Sequence, residues 1–512
     1  MARETVRRRE RRASGGVRQL PFARLRNPFR PVEILSTDQV EAIHRASLSL
    51  LENVGFEVLH LESLDIFKRA GAKVDFGGKR VQLDGALVES LIAKAPPRFT
   101  QRARNRERDV TVGEENLIFI ATGGPAFASD LDRGRRAGNY ADMCDFIRLV
   151  QSLNVIHQDG GTGIEPTDLP PETRHLDMYE ATLTLADKTW NCWGMGAHCV
   201  RDAIAMTCLA YETTPEQLAA EPALITIINS NSPMRLDGPM GAGLTEMARY
   251  GQPVVMTPFT LAGAMSPITL AGALTQQNAE ALFMISLAQL VRPGTPVAYG
   301  GFTSNVDMRT GAPAFGTPEY TKAALATGQL TRRYRIPYRS SNVNASNIVD
   351  AQSTYESAMS LWGCVMGGVN LLEHAAGWLE GGLTASFEKL IVDAEMLQLM
   401  RETMSPLPVR DEDLGLESIA EVGPGGHFFG TAHTLERFET AFYAPMLSDW
   451  RNFETWQESG AIDATRRANG IWKELLKQYE EPPMDPPRRE ALKAYVAKRK
   501  AEIATGRLLV DL

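Results

Sequence analysis

The chain is short of the residues that build metal centres and disulfide frameworks: 512 residues carry five cysteines and eight histidines. Cys144, Cys192, Cys199, Cys208 and Cys364 form no C-x-x-C pair and no regular framework, which argues against zinc ribbons and secreted disulfide scaffolds. With no signal peptide visible, they read as reduced, small hydrophobes in a cytoplasmic protein. No stretch approaches the roughly 20 clean apolar residues of a membrane helix. The most apolar one, 361–383, is interrupted by Glu373 and His374 and crowded with glycine. No P-loop is present. A net charge of -8 gives no reason to expect nucleic acid as a partner. The N-terminal arginines (Arg7-Arg-Arg-Glu-Arg-Arg12, then Arg18, Arg24, Arg26 and Arg30) have neither interleaved aromatics nor an apolar face, and read as a surface tail over 1–34.

What is present is alternation. Short, partly β-branched apolar runs at 117–122, 154–159, 189–193, 224–231, 254–259, 297–302, 337–343 and 371–374 are each followed by a helical pattern. Those patterns fall at 141–152, 172–187, 200–212, 245–250, 274–291, 318–334, 355–366 and 386–404. Apolar runs too short for helices, alternating with amphipathic helices, predict βα units around a parallel sheet buried on both faces. Eight such units predict a (β/α)8 TIM barrel over 116–404, with an open doubly wound sheet as the alternative. An N-terminal α/β extension is expected over 35–115, opening on a helix capped by Ser36 or Thr37. A C-terminal helical extension is expected over 405–512.

Parallel α/β folds place ligands at the C-terminal ends of their strands. Here those ends collect aromatics and neutral hydrogen-bonders, with few carboxylates. A hydrolytic metal site wants several His, Asp or Glu ligands, and the 371–374 run offers one His and one Glu. Aromatic faces around a shared cavity suit an alkylated ammonium, held by cation–π attraction. Asn, Thr and Ser side chains, with Arg339 and His374, suit a carboxylate on the same ligand.

Several stretches together resemble the trimethylamine methyltransferase family of corrinoid-dependent enzymes over nearly the whole chain. They are Gly123-Gly-Pro-Ala126, Asn229-Ser-Asn-Ser-Pro233, Gly263-Ala-Met-Ser-Pro-Ile-Thr-Leu270, Asn278-Ala-Glu280, Tyr299-Gly-Gly-Phe302, Asp350-Ala-Gln352, His374-Ala-Ala-Gly-Trp-Leu-Glu-Gly-Gly-Leu383 and Gly423-Pro-Gly-Gly-His427. The resemblance implies a (β/α)8 barrel that passes a methyl group from an amine to the cobalt of cobalamin, carried by a separate corrinoid protein. This chain has no Asp-x-His-x-x-Gly corrinoid motif of its own. Family members that use trimethylamine carry pyrrolysine near the 337–343 strand, whereas 340–350 holds only ordinary residues here. A tertiary amine needs activation before it can lose a methyl group. A quaternary ammonium is already cationic and departs as a neutral amine, so glycine betaine and similar donors are implied.

On that basis Phe302, Tyr338 and Trp378, with Phe259, are assigned to an aromatic wall around the ammonium, and His374 to the carboxylate. Asn229 and Asn231, two apart on one strand and so on one face, are assigned to substrate or corrin edge, and Gln352 to substrate. Glu280 is a substrate candidate with an equally good structural reading as a cap or ion pair. Gly300 and Gly301 are expected to admit the corrin ring close to the backbone. A homo-oligomer is expected. A metal-dependent hydrolase or lyase on the same barrel, and a non-catalytic betaine-binding protein, are the other readings.

Overall fold

The computed structural model describes residues 16–506; arginines 7–12 fall outside that range. Its centre is a curled parallel sheet of seven strands: β1 (Asn116–Phe119), β2 (Trp190–Asn191), β3 (Leu224–Ile228), β4 (Val254–Met256), β5 (Val297–Gly300), β6 (Tyr338–Ser341) and β7 (Leu371–Glu373). The neighbours run β1-β7-β6-β5-β4-β3-β2. All of these pairs are parallel. Alternate side chains point to opposite faces. Ile118, Ile120, Ile225, Val255, Ala298 and Leu371 meet inside the curl, in one apolar cluster. Leu224, Ile228, Val254, Met256, Val297 and Leu372 belong to the main core beneath the helices. That two-sided burial makes the strands read as continuous apolar runs.

Helices follow the strand positions: α1 (Tyr140–Ser152), α2 (Arg174–Leu185), α3 (Ala197–Tyr211), α4 (Gly238–Arg249), α5 (Leu270–Val291), α6 (Pro318–Tyr334), α7 (Ala351–Gly367) and α8 (Phe387–Thr403). Their starts are chemically marked. Thr317 caps α6 with Pro318 at its first position, Asp350 caps α7, and Ser386 caps α8. The core is therefore mixed α/β with a parallel sheet, and the alternation of strand and helix is as expected.

The run at 154–159 departs from expectation. It contributes only Gln158, bridged in parallel to Ile120 on one side and Thr189 on the other. Two contacts take the hydrogen bonds a longer strand would use. Leu25–Arg26 pairs antiparallel with the base of β1, and His157 accepts the Phe119 N–H while its other ring nitrogen meets Ala23 O at 3.0 Å. The Lys188 ammonium donates to the carbonyls of Val150, Leu153 and Ile156 at 2.6, 2.8 and 2.7 Å.

Two small sheets beyond the strand ends were not anticipated. The runs at 254–259 and 297–302 each break, at Thr257-Pro258 and at Gly301. They resume as Phe259–Ala262 and Phe302–Val306, paired in parallel and joined by Pro313–Ala314. Opposite, Trp378–Leu379, Thr384–Ser386, Phe127–Asp130 and Gly134–Ala137 form a second sheet. Together they wall the mouth of the curl.

Before the sheet, Thr37–Ser49 is a helix closed by a Ser36–Gln39 capping box. The strands Phe56–Val58, Arg80–Gln82 and Lys73–Asp75 take Arg235–Leu236 from the loop after β3 as a fourth. Phe56 stacks on Phe283 of α5 at 4.1 Å, seating this module on the sheet's helices. After α8, the segment around the short helices Asp411–Leu414, Leu416–Val422 and Ala432–Arg437 leaves Leu407, Phe429 and Phe442 more than 80% exposed. Glu395 of α8 recaptures the chain through Met446 N, Leu447 N and Ser448 Oγ. Ala464–Lys477 then packs on α8, and Pro486–Ala504 docks on Asp202 of α3 through Tyr495 and Arg499. No described helix is long and apolar enough to cross a membrane. All five cysteines are unpaired.

Candidate functional site

Following the inward face of each strand to its C-terminal end replaces aliphatic side chains by polar ones. Arg339 is registered against Leu371 and Glu373 against Ser341. Gln158 is registered against Ile120. Arg339, Glu373 and Gln158 therefore sit on the same face as the interior apolar cluster. Buried polar atoms without a hydrogen-bond partner gather here: both amide atoms of Gln158, the hydroxyls of Thr122 and Thr257, Nε and Nη1 of Arg339, and one carboxylate oxygen of Glu373. Buried polar groups are normally paired, so such a concentration is informative.

The electrostatics match. Burial pushes the Glu373 carboxyl up to about 7, with the Arg339 charge opposing the shift. Burial likewise pushes Asp159 up to about 7, against hydrogen bonds from the Gly161 and Asn191 N–H groups at 3.0 and 3.2 Å. His374 is held well below its ordinary value by burial and by the neighbouring Arg339, so the ring is neutral.

Above this layer lies an aromatic cluster. The His374 ring stacks on Trp378 at 4.9 Å with 15° between planes, and its Nδ1 is 3.2 Å from Ser341 Oγ. Its backbone is left-handed, at φ 53°, which turns the chain across the strand end. Phe302 stands edge-on to Trp378, His374, Phe315 and Tyr320 at 5.8–6.2 Å, and tilted to Phe259 at 5.1 Å. Phe315 lies 5.4 Å from Trp378. Gly382, at φ 96°, passes so close over the indole that a Cβ would sit 2.6 Å from it. The guanidinium carbon of Arg339 is 5.4 Å from the Phe302 ring centre, so the aromatic cluster and the polar layer are contiguous.

Phe259, Phe302, His374 and Trp378 are thus brought together. Tyr338 is not: it faces outward, one residue from Arg339, and donates its hydroxyl to Ala324 O at 2.8 Å. Gln352 is exposed and donates to Glu356 on its own helix. Asn229 and Asn231 are exposed because the chain leaves the sheet after Ile228, and Asn231 caps a local turn by accepting from Asp237 N. Glu280 is fully buried and organises that departure, accepting from Ser230 Oγ, Ser232 Oγ, Met234 N and Gln276 Nε2. A Cβ on Gly300 would strike Thr257, and one on Gly301 would strike Thr327, so their smallness serves neighbouring side chains. Phe315 and Tyr320 escaped the sequence reading. Phe315 arrives from a loop and Tyr320 from a helix, and the strand-end inventory sampled neither.

The mouth is rimmed by apolar side chains that are more than half exposed, among them Met195, Ile268, Met308, Ile348 and Leu383. Among the described residues no group of three or more His, Cys, Asp or Glu is placed to hold a metal ion. A cleft of about 570 Å³ opens at the other end of the curl between Arg98, Arg102, Arg106, Glu221, Arg292 and Pro296.

The family model described as trimethylamine methyltransferase (MTTB) matches residues 2–504. The chain is 36% identical to a glycine betaine methyltransferase of Desulfitobacterium hafniense, over 92% of this chain and 98% of that one. It is 28% identical to trimethylamine methyltransferase MttB of the same species, covering 93% and 95%. Among solved structures, the monomethylamine methyltransferase MtmB of Methanosarcina barkeri superposes with a TM-score of 0.53 at 10% identity, covering 88% of this chain and 90% of that one. That likeness concerns the fold alone.

Proposed function

The chain belongs to the trimethylamine methyltransferase family and is a methyltransferase, and from that premise we propose that its methyl donor is a quaternary amine of the glycine betaine type. The acceptor in this reading is cobalamin in the cob(I)alamin state, carried by a separate corrinoid protein. The observation that carries the donor assignment is the aromatic cluster of Phe259, Phe302, Phe315 and Trp378 around the strand ends, contiguous with a buried cation and two buried carboxyl groups. Ring faces hold an alkylated ammonium by cation–π attraction, worth about 2 kcal/mol or more when desolvated. The name of the 36% identical relative supports the same donor class.

The residues fit a corrinoid brought by a partner. The apolar rim offers a surface for a docking protein, and Gly124 at that rim has open space where a Cβ would stand. When docked, the corrinoid supplies a cobalt nucleophile for the methyl carbon. This chain's part is to strip water from the ammonium, fix one methyl toward the mouth and release a neutral amine that needs no proton. Neutral His374, flat against Trp378, extends the wall without adding positive charge beside the substrate cation.

The curled sheet reads as a closed (β/α)8 barrel. The Gln158 bridges to Ile120 and Thr189, which link β1 to β2, support that closure. The domain reading is a module at 35–115, the barrel at 116–404 and an extension at 405–512. A cytoplasmic location and a homo-oligomer complete it. The test is methyl transfer from a panel of quaternary amines to cob(I)alamin, alone and on the cognate corrinoid protein. Loss of the cob(I)alamin absorbance together with a demethylated amine product is expected for betaines. Silence with both acceptors would overturn the reading.

A further inference from the structure

Arg339 is 2% exposed, yet forms no ion pair with any described residue, and its Nε and Nη1 have no hydrogen-bond acceptor. An uncompensated buried guanidinium is costly, and proteins place one where an anion will arrive. Two other partly buried arginines are paired: Arg136 with Asp142 and Arg499 with Asp202 each make short charged hydrogen bonds. Glu373 supports the Arg339 charge through space but forms no ion pair with it. Neither Glu373 nor Asp159 forms an ion pair with it, and burial raises both carboxyl groups despite the opposing charges of Arg339 and Lys188. The guanidinium stands at the edge of the aromatic cluster, 5.4 Å from the Phe302 ring centre.

We propose that Arg339 is the carboxylate-binding residue of this site, so that the donor must be a short zwitterion carrying its carboxylate a bond or two from the ammonium. This deepens the donor reading above and rests on it. It moves the anion-binding role from neutral His374 to Arg339, which β6 holds rigidly between β5 and β7. A guanidinium binds a carboxylate through fixed, directed N–H groups, and the Nε and Nη1 of Arg339 both lack an acceptor. A donor with a quaternary head and no anion leaves the guanidinium buried and unpaired, and is rejected for that reason.

Glycine betaine and choline separate the two ends of such a ligand, since they share the trimethylammonium head and differ in carboxylate against hydroxyl. Binding to the full chain is measured by titration calorimetry. Glycine betaine is expected to bind at least tenfold more tightly than choline. Arg339→Met is expected to weaken glycine betaine at least thirtyfold while leaving choline within threefold, and Arg339→Lys to restore part of the loss. Retained choline binding shows that the variant is folded; should Arg339→Met not fold, Arg339→Gln takes its place. Equal affinity of the wild type for both ligands, or undiminished glycine betaine binding by the variant, would overturn the Arg339 assignment and leave the quaternary-amine reading standing. Absence of binding by either ligand to the wild type would remove both.

Discussion

The two ends of the parallel sheet differ in a way that cavity size does not capture. The end where the strands begin has a cleft of about 570 Å³ and is rich in arginine. Its arginines are paired: Arg106 with Asp109 at 3.2 Å and Glu221 at 3.0 Å, Arg98 with Glu114, and Arg292 with Arg249 O. Its floor is plugged by the hairpin Arg98–Gln101 and Val110–Gly113, whose Phe99, Val110 and Val112 close the apolar interior. The end where the strands finish is built differently. It holds a buried arginine without an anion, two carboxyl groups with raised pKa values, an unpaired glutamine and a contiguous aromatic cluster. Unmet bonding capacity is denser where the strands finish, while at the other end Gln101 Oε1 and Arg102 Nε are unpartnered beside paired charges.

That contrast is sharpest for paired substitutions of arginine. Arg339→Met should cost about 2–5 kcal/mol in betaine recognition, read as a fall of thirtyfold or more in kcat/KM. Arg106→Ala, in the cleft at the opposite end, should stay within twofold. Similar losses at both ends would break the comparison. Truncating the aromatic wall comes next: Phe302→Ala or Trp378→Ala should cost about 1–2 kcal/mol, a five- to thirtyfold fall in kcat/KM shared by all quaternary donors. Glu280→Gln should act on stability instead. It turns an acceptor held by four donors into a partly mismatched amide, at about 1–3 kcal/mol. Thermal melting should fall by several degrees, with KM for the donor little changed.

A pH effect separates the ends further. The folded-state pKa of Glu373, about 7, lies above that of an unfolded glutamate. The folded protein thus binds the extra proton, and this contribution to stability is full below the unfolded value and lost as pH rises through 7. Removing the titration with Glu373→Gln should therefore make the variant gain stability relative to wild type between pH 5 and 8, measured by thermal melts of both proteins. A flat difference would mean that Glu373 is ionised throughout. The smallest effect is expected at Gln352→Ala, whose exposed amide serves its own helix, with kcat/KM within twofold.

Much of the scaffold was legible because it depends on local chemistry. Two-sided burial makes β3 to β5 read as apolar runs, and Ser36 announces its helix. The run at 154–159 failed for a tertiary reason. Leu25–Arg26, more than a hundred residues earlier, covers the base of β1, and Lys188 consumes the carbonyls leading to it. Within the site, Phe259, Phe302, His374 and Trp378 were legible from position at the strand ends. Tyr338 was misassigned to the wall although alternation with Arg339 carried the answer, since adjacent residues on a strand cannot both face inward. Asn229 and Asn231 do share a periodic face, but the chain has already left the sheet there, drawn away by Glu280. Phe315 had no local signal at all.

Methyl transfer from glycine betaine to cob(I)alamin on the cognate corrinoid protein, with choline run alongside, tests the donor and Arg339 together. Consumption of cob(I)alamin with stoichiometric dimethylglycine, and at least tenfold slower turnover of choline, is the predicted result. Transfer from neither donor, or equal transfer from both, would contradict it.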